Sequence, residues 1–160
     1  MVRRDLLAGG ALALAAAFGL SRRGARAAPA EHYAVQHTPA EWRGLLKPAA
    51  YDVLREQGTE YPNSSPLLNE HRHGTFHCAG CAQSAFRSET KFDSGTGWPS
   101  FWAPIAHAVA TTSDRSLLMA RTEVHCSRCG GHLGHVFDDG PRPTGLRYCM
   151  NGAAMTFQPA

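Results

Sequence analysis

Nowhere does the sequence hold the roughly 20 consecutive apolar residues that a membrane-spanning helix needs; its longest apolar stretch, Leu6 to Leu20, falls short. That argues against an uncleaved membrane anchor. There is no internal repeat beyond a doubled H-C-x-x-C, and no low-complexity tract outside the N-terminus, which disfavours a solenoid or a fibrous chain. Positive charge is also scarce once the first segment is set aside. MVRRDLLAGGALALAAAFGLSRRGARA has a basic start, an apolar middle and small residues at Ala25 and Ala27, the pattern of an export signal over residues 1–27. Without it the chain loses Arg3, Arg4, Arg22, Arg23, Arg26 and Asp5, so eleven basic and twelve acidic side chains remain and the formal charge falls from +3 to −1. A mature domain of that charge has no electrostatic case for binding nucleic acid.

The Arg3-Arg4 pair ahead of Leu6-Leu7 resembles a twin-arginine signal, with a general secretory signal as the alternative. Either route predicts an exported, periplasmic protein with no stable membrane insertion after cleavage. Residues 28–37 read as a linker and 38–160 as one domain. Nothing in the pattern demands more than a monomer.

Two helices are expected first. TPAEWRGLL offers Thr38 as N-cap, Pro39 at the first helical position and Glu41 three residues after the cap. A second helix should run from Pro48 through Glu56 and stop at Gly58. Beyond Gly58 the texture changes to short β-branched and aromatic runs between turn formers: GTFHC, VAT, SLLMA, TEVHC, GHVFD, LRYCMN and AMTFQ are all of strand length. The expected architecture is mostly β and antiparallel, behind two short helices.

Cysteine is sparse as well, and its five copies divide unevenly. Cys78 and Cys81 form one C-x-x-C, Cys126 and Cys129 another, and Cys149 is left over. Two such turns facing each other supply the tetrahedral sulfur shell of one structural Zn2+. The gap between them is longer than the roughly 15 to 20 residues of a compact zinc ribbon, so the metal should clip distant hairpins of a larger domain. The alternative is two disulfides or a redox C-x-x-C. His77 and His125 read as neighbours of the cluster and not as ligands.

If LRYCMN is a strand, Arg147, Cys149 and Asn151 share one face, and Tyr148 and Met150 the other. A guanidinium beside a thiol stabilises the thiolate. His132, His135 and Asp139 in GGHLGHVFDDG can move protons near neutral pH, although surface imidazoles or a further metal site are equally compatible with HxxH. SGTGWPSFW brings Trp98, Phe101 and Trp102, a hydrophobic wall or simply core.

These stretches, in this order, closely resemble the B-type methionine-R-sulfoxide reductases: TKFDSGTGWPSFW, EVHCSRCGGHLGHVFDDGPRPTG and RYCMN are near-verbatim signatures, and LKPAAYDVLREQGTEYPNSSPL is similar to the family's helical lead-in. The resemblance implies two antiparallel β-sheets, a zinc clip remote from the active site, and reduction of methionine-R-sulfoxide. By motif position it makes Cys149 the nucleophile and sets Trp98 against the substrate methyl. His132, His135, Asp139, Arg147 and Asn151 become the polar groups around the sulfoxide, with His135 as proton donor. Oxidised proteins or peptides are the implied substrates, and a thioredoxin-like protein or small thiol the reductant. Thr96 stands where many members carry a resolving cysteine, so a single-cysteine enzyme is expected. A zinc-stapled module that binds oxidised peptides without turnover is the rival reading; it has no need of the Arg147, Cys149, Asn151 face.

Overall fold

The computed structural model describes residues 32–115 and 120–160. The expected export signal, the start of the linker and most of SLLMA lie outside the described residues. Helix α1 spans Pro39–Leu45. The Thr38 hydroxyl accepts from the Glu41 amide at 3.3 Å, and the Glu41 carboxylate accepts from the Thr38 amide at 2.7 Å, a complete capping box. Helix α2 spans Pro48–Glu56 and buries Ala50, Val53 and Leu54, the i, i+3, i+4 spacing of one helix face.

The end of α2 differs from the sequence expectation. Gln57, and not Gly58, takes the left-handed conformation (φ 57°). Gly58 serves close approach instead: its amide donates to the Asp52 carbonyl at 3.0 Å, and a Cβ there would collide with the Asp52 carboxylate.

Among the described residues the strands are β1 Gly74–Cys78, β2 Ser84–Arg87, β3 Lys91–Phe92, β4 Ser100–Phe101, β5 Val109–Asp114, β6 Arg121–Cys126, β7 His132–Phe137, β8 Arg147–Met150 and β9 Met155–Pro159. They form two antiparallel sheets, ordered β2-β1-β9 and β3-β4-β8-β7-β6-β5. The mostly β, two-sheet architecture is therefore present. β2, β3 and β4 were not legible in the sequence, because β3 and β4 are two residues long and too short to show a period.

Aromatic packing joins the sheets. Phe76 and Phe86 from the smaller sheet and Phe101 from the larger are fully buried; Phe86 stacks on Phe101 at 4.4 Å and Phe76 meets it edge-on at 4.9 Å. Each such ring contributes up to about 3 kcal/mol of burial. Met150 and Leu133 close the same core. Residues 32–37, expected as the end of a linker, lie along the second C-x-x-C: the Val35 amide donates to the Arg128 carbonyl at 3.0 Å and Tyr33 meets His125 edge-on.

Candidate active site and metal centre

Cys78 ends β1 in the small sheet and Cys126 ends β6 in the large one, so the two knuckles meet where the sheets abut. The four sulfurs of Cys78, Cys81, Cys126 and Cys129 all lie within 4.8 Å of one another. Cys78 faces Cys129 at 3.7 Å and Cys81 faces Cys126 at 3.5 Å. A disulfide needs about 2.05 Å, and all four cysteines stand unpaired, the arrangement a metal shell needs. A tetrahedral ion with bonds of about 2.3 Å requires sulfurs about 3.8 Å apart, and the observed spacing fits it. His77 and His125 stand outside the cluster; the His77 ring is engaged by the Ala82 carbonyl and the Ser84 hydroxyl, both at 3.3 Å.

The leftover thiol lies at a second place. Strand β8 alternates as expected: Met150 faces the core, while Cys149 and Asn151 line a cavity of about 150 Å³ with Trp98, His135, Phe137, Arg121, Gly134 and Thr59. Clefts of about 540 and 600 Å³ beside the helices are larger, but neither contains a cysteine or histidine. None of the metal-site cysteines lines the Cys149 cavity.

His135 sits directly opposite Cys149 in the β7–β8 ladder, which puts both side chains on one face with their Cβ atoms about 5 Å apart. Its Nε2 is 2.9 Å from Asp114 Oδ2, which also accepts from Arg121 at 2.7 Å. A carboxylate at Nε2 holds a proton there, leaving Nδ1 as the nitrogen available for exchange. His132 is buried beside it, 5.3 Å between ring centroids, with Nδ1 2.7 Å from Glu123 Oε1. Burial lowers its pKa below 6.5, against the opposing pull of Glu123.

Arg147 and Asp139 work as a unit. Two parallel 2.8 Å bonds join guanidinium to carboxylate, and the guanidinium lies 4.4 Å over the Phe137 ring. Arg147 hydrogen bonds lower the Asp139 pKa, and Asp139 first, then the nearby Cys149 sulfur, raise that of Arg147. Arg147, Asp139 and His132 do not line the cavity; Arg147 flanks Cys149 beside it, and Asp139 orients Arg147. Asn151 is buried, its Oδ1 accepting from the Glu60 amide at 3.0 Å and its Nδ2 donating to the Leu133 carbonyl at 3.2 Å.

Glu60 carries no motif that would single it out in the sequence. Its carboxylate accepts from the Gly152 and Ala153 amides at 2.6 and 2.9 Å, and its carbonyl accepts from the Trp98 indole at 3.1 Å. One residue thereby ties the aromatic wall to the turn after the β8 strand. Asp114 and Arg121 were missed for a similar reason: they pair across the β5–β6 ladder, a relation visible only once the strands are in register.

Comparison with known proteins agrees with this layout. The SelR domain matches residues 46–159. Over 126 residues the chain is 51% identical to the peptide methionine sulfoxide reductase MsrB of Agrobacterium fabrum, covering 78% of this chain and 93% of the relative. It is 54% identical over 120 residues to that of Bradyrhizobium diazoefficiens, covering 74% and 86%, and 48% identical over 128 residues to that of Leptospira interrogans, covering 79% and 98%. With a free thiol at an aromatic-walled cavity, a four-sulfur clip and that likeness along most of its length, the chain belongs to the SelR family and is an oxidoreductase of the MsrB peptide methionine sulfoxide reductase type.

Proposed function

We propose that the chain reduces the R epimer of methionine sulfoxide, peptide-bound or free, using Cys149 as nucleophile and no second catalytic cysteine. The observation that carries this reading is the face-to-face placement of Cys149 and His135 at a 150 Å³ cavity, large enough for a methyl sulfoxide tip and walled by Trp98. The indole supports the methyl. The Cys149 thiolate, with Arg147 alongside, attacks the sulfoxide sulfur while His135 delivers a proton to the oxygen. Oxygen ends on Cys149 as a sulfenic acid and methionine departs; the substrate sulfur gains two electrons and the cysteine sulfur loses two. His132 and Asn151 orient the neighbouring groups, and Asp139 acts through Arg147.

Return to the thiol requires an external reductant. The other four cysteines sit in the metal cluster, and Thr96 faces Cys149. A small thiol or thioredoxin-like protein condenses with the sulfenic acid, releasing water, and a second thiol then frees Cys149 with formation of a disulfide. Thr96→Ala is accordingly expected to retain multiple turnovers with an external thiol, even at a reduced rate, because no resolving cysteine is lost. Cys78, Cys81, Cys126 and Cys129 would hold one Zn2+, a closed thiolate shell that supplies folding energy and no chemistry.

Export to the periplasm rests on the residue pattern of the first 27 positions; N-terminal sequencing of the mature protein near Ala28 tests it. The reaction is tested with separated R and S epimers of a methionine sulfoxide peptide and dithiothreitol as donor. Turnover of R alone, abolished by Cys149→Ser, is expected; tight peptide binding without turnover of either epimer would favour the binding module instead.

A further inference from the structure

Next to Cys149 runs a chain of hydroxyls that the reaction above does not use. Thr96 Oγ1 lies 3.8 Å from Cys149 Sγ. Ser94 Oγ is 2.8 Å from Thr96 Oγ1, and Ser100 Oγ is 2.8 Å from Ser94 Oγ. Ser100 then donates to the Trp98 carbonyl at 3.1 Å. Ser100 is fully buried and pairs directly with Cys149 in the β4–β8 ladder. Thr96 is aimed by the loop around it: Gly95 and Gly97 take left-handed φ of 69° and 91°, and the Gly97 carbonyl accepts from the Asn63 amide at 2.8 Å.

Each hydroxyl carries a single hydrogen, and this fixes the direction of the chain. The hydrogen of Ser100 goes to the Trp98 carbonyl, so the Ser94–Ser100 contact must use that of Ser94. The Thr96–Ser94 contact must then use that of Thr96. Only an S–H from Cys149 can fill the last contact, so in this polarity the chain suits the thiol. A thiolate has no hydrogen to give. When Cys149 loses its proton to solvent, Thr96 must turn its O–H to the sulfur, Ser94 to Thr96 and Ser100 to Ser94, and the Trp98 carbonyl loses the Ser100 donor.

We infer that Thr96, Ser94 and Ser100 form a hydroxyl relay that reverses polarity when Cys149 ionises, Thr96 favouring the thiolate and the Ser100–Trp98 bond opposing it. All three are positioning residues that set the reactivity of Cys149, alongside the titratable and charged groups that face it, His135 and Arg121 across the cavity and Arg147 on its own strand, which every variant below leaves unchanged. The inference rests on Cys149 being the reactive thiol, and its test needs no sulfoxide, so failure of the relay would leave the proposed reaction standing.

The test is the alkylation rate of Cys149 by iodoacetamide in the full chain at pH 7, read on the Cys149 peptide by mass spectrometry. Thr96→Val removes the donor to the thiolate and should slow alkylation about tenfold. Ser94→Ala and Ser100→Ala remove the bond that ionisation must give up, and should each speed it about fivefold. Thr96→Ser should restore the parent rate, and all rates should converge at alkaline pH, where ionisation no longer limits. A structural role would move the variants in one direction at every pH. Slowing by Ser94→Ala, a half-buried site outside the core, or rates within twofold for all variants, would overturn the relay.

Discussion

Replacing Glu60 by alanine should damage both stability and catalysis, and the structure separates what is lost from what stays. The Glu60 amide and carbonyl, which hold Asn151 and Trp98, belong to the backbone and survive. Only the carboxylate bonds to Gly152 and Ala153 go, at 2.6 and 2.9 Å. Hydrogen bonds to a charged group contribute about 1.5–3 kcal/mol each. The half-buried setting of Glu60 puts both at the lower end, so about 3 kcal/mol is expected, a fall of roughly 10 °C in melting temperature for a domain of this size. Gly152 follows Asn151 directly, so the β8 end loosens, and loss of ångström-scale positioning lowers kcat/KM by about 10- to 100-fold. Glu60→Gln keeps one acceptor oxygen and should fall between. Glu56→Ala is the control, because its exposed pair with Arg43 at 3.6 Å contributes under about 1 kcal/mol. The assay is a thermal melt followed by steady-state reduction of an R-sulfoxide peptide. A Glu60→Ala melt within about 2 °C of the parent, or a Glu56→Ala loss as large, would refute the argument.

Three further outcomes are expected. Cys126→Ser, or strong chelation, should release about one zinc per chain and unfold the junction of the sheets, whereas Cys149→Ser keeps the metal; elemental analysis and near-UV circular dichroism read both. His132 has a folded pKa below 6.5 because of burial, despite Glu123 and with His135 and Asp114 nearby. The unfolded chain therefore binds more protons just below pH 6.5, so stability is lost as pH falls through that value; melts from pH 8 to 5 should show the loss, and His132→Asn should flatten it. Arg147→Lys breaks the bidentate pair with Asp139 and the stack on Phe137; it should lower kcat/KM about tenfold. Asp139→Asn should act through the same unit, the double variant adding little to either.

The helices and the four-cysteine cluster were legible because their chemistry is local. A capping box lies within four residues, and a C-x-x-C turn brings its own two sulfurs together. The alternation that puts Cys149 and Asn151 on one face needs only a strand, and the free fifth cysteine needs only a count. The family signatures supplied the remaining site candidates by position.

What the chain order could not show is which distant residues become neighbours. Glu60 meets Gly152 across 92 positions, and Asp114 reaches His135 only because β5, β6 and β7 pair in a particular register. Ser100 stands opposite Cys149 because a two-residue strand, too short for any periodic signal, joins the edge of β8. The sequence by itself thus determined the two helices and the capping box of the first, the four-cysteine cluster and the shared face of Cys149 and Asn151. Tertiary structure alone decided the partners of each reactive group, because hydrogen-bond pairing depends on sheet order and register, which are set by burial of Phe76, Phe86 and Phe101 between the sheets.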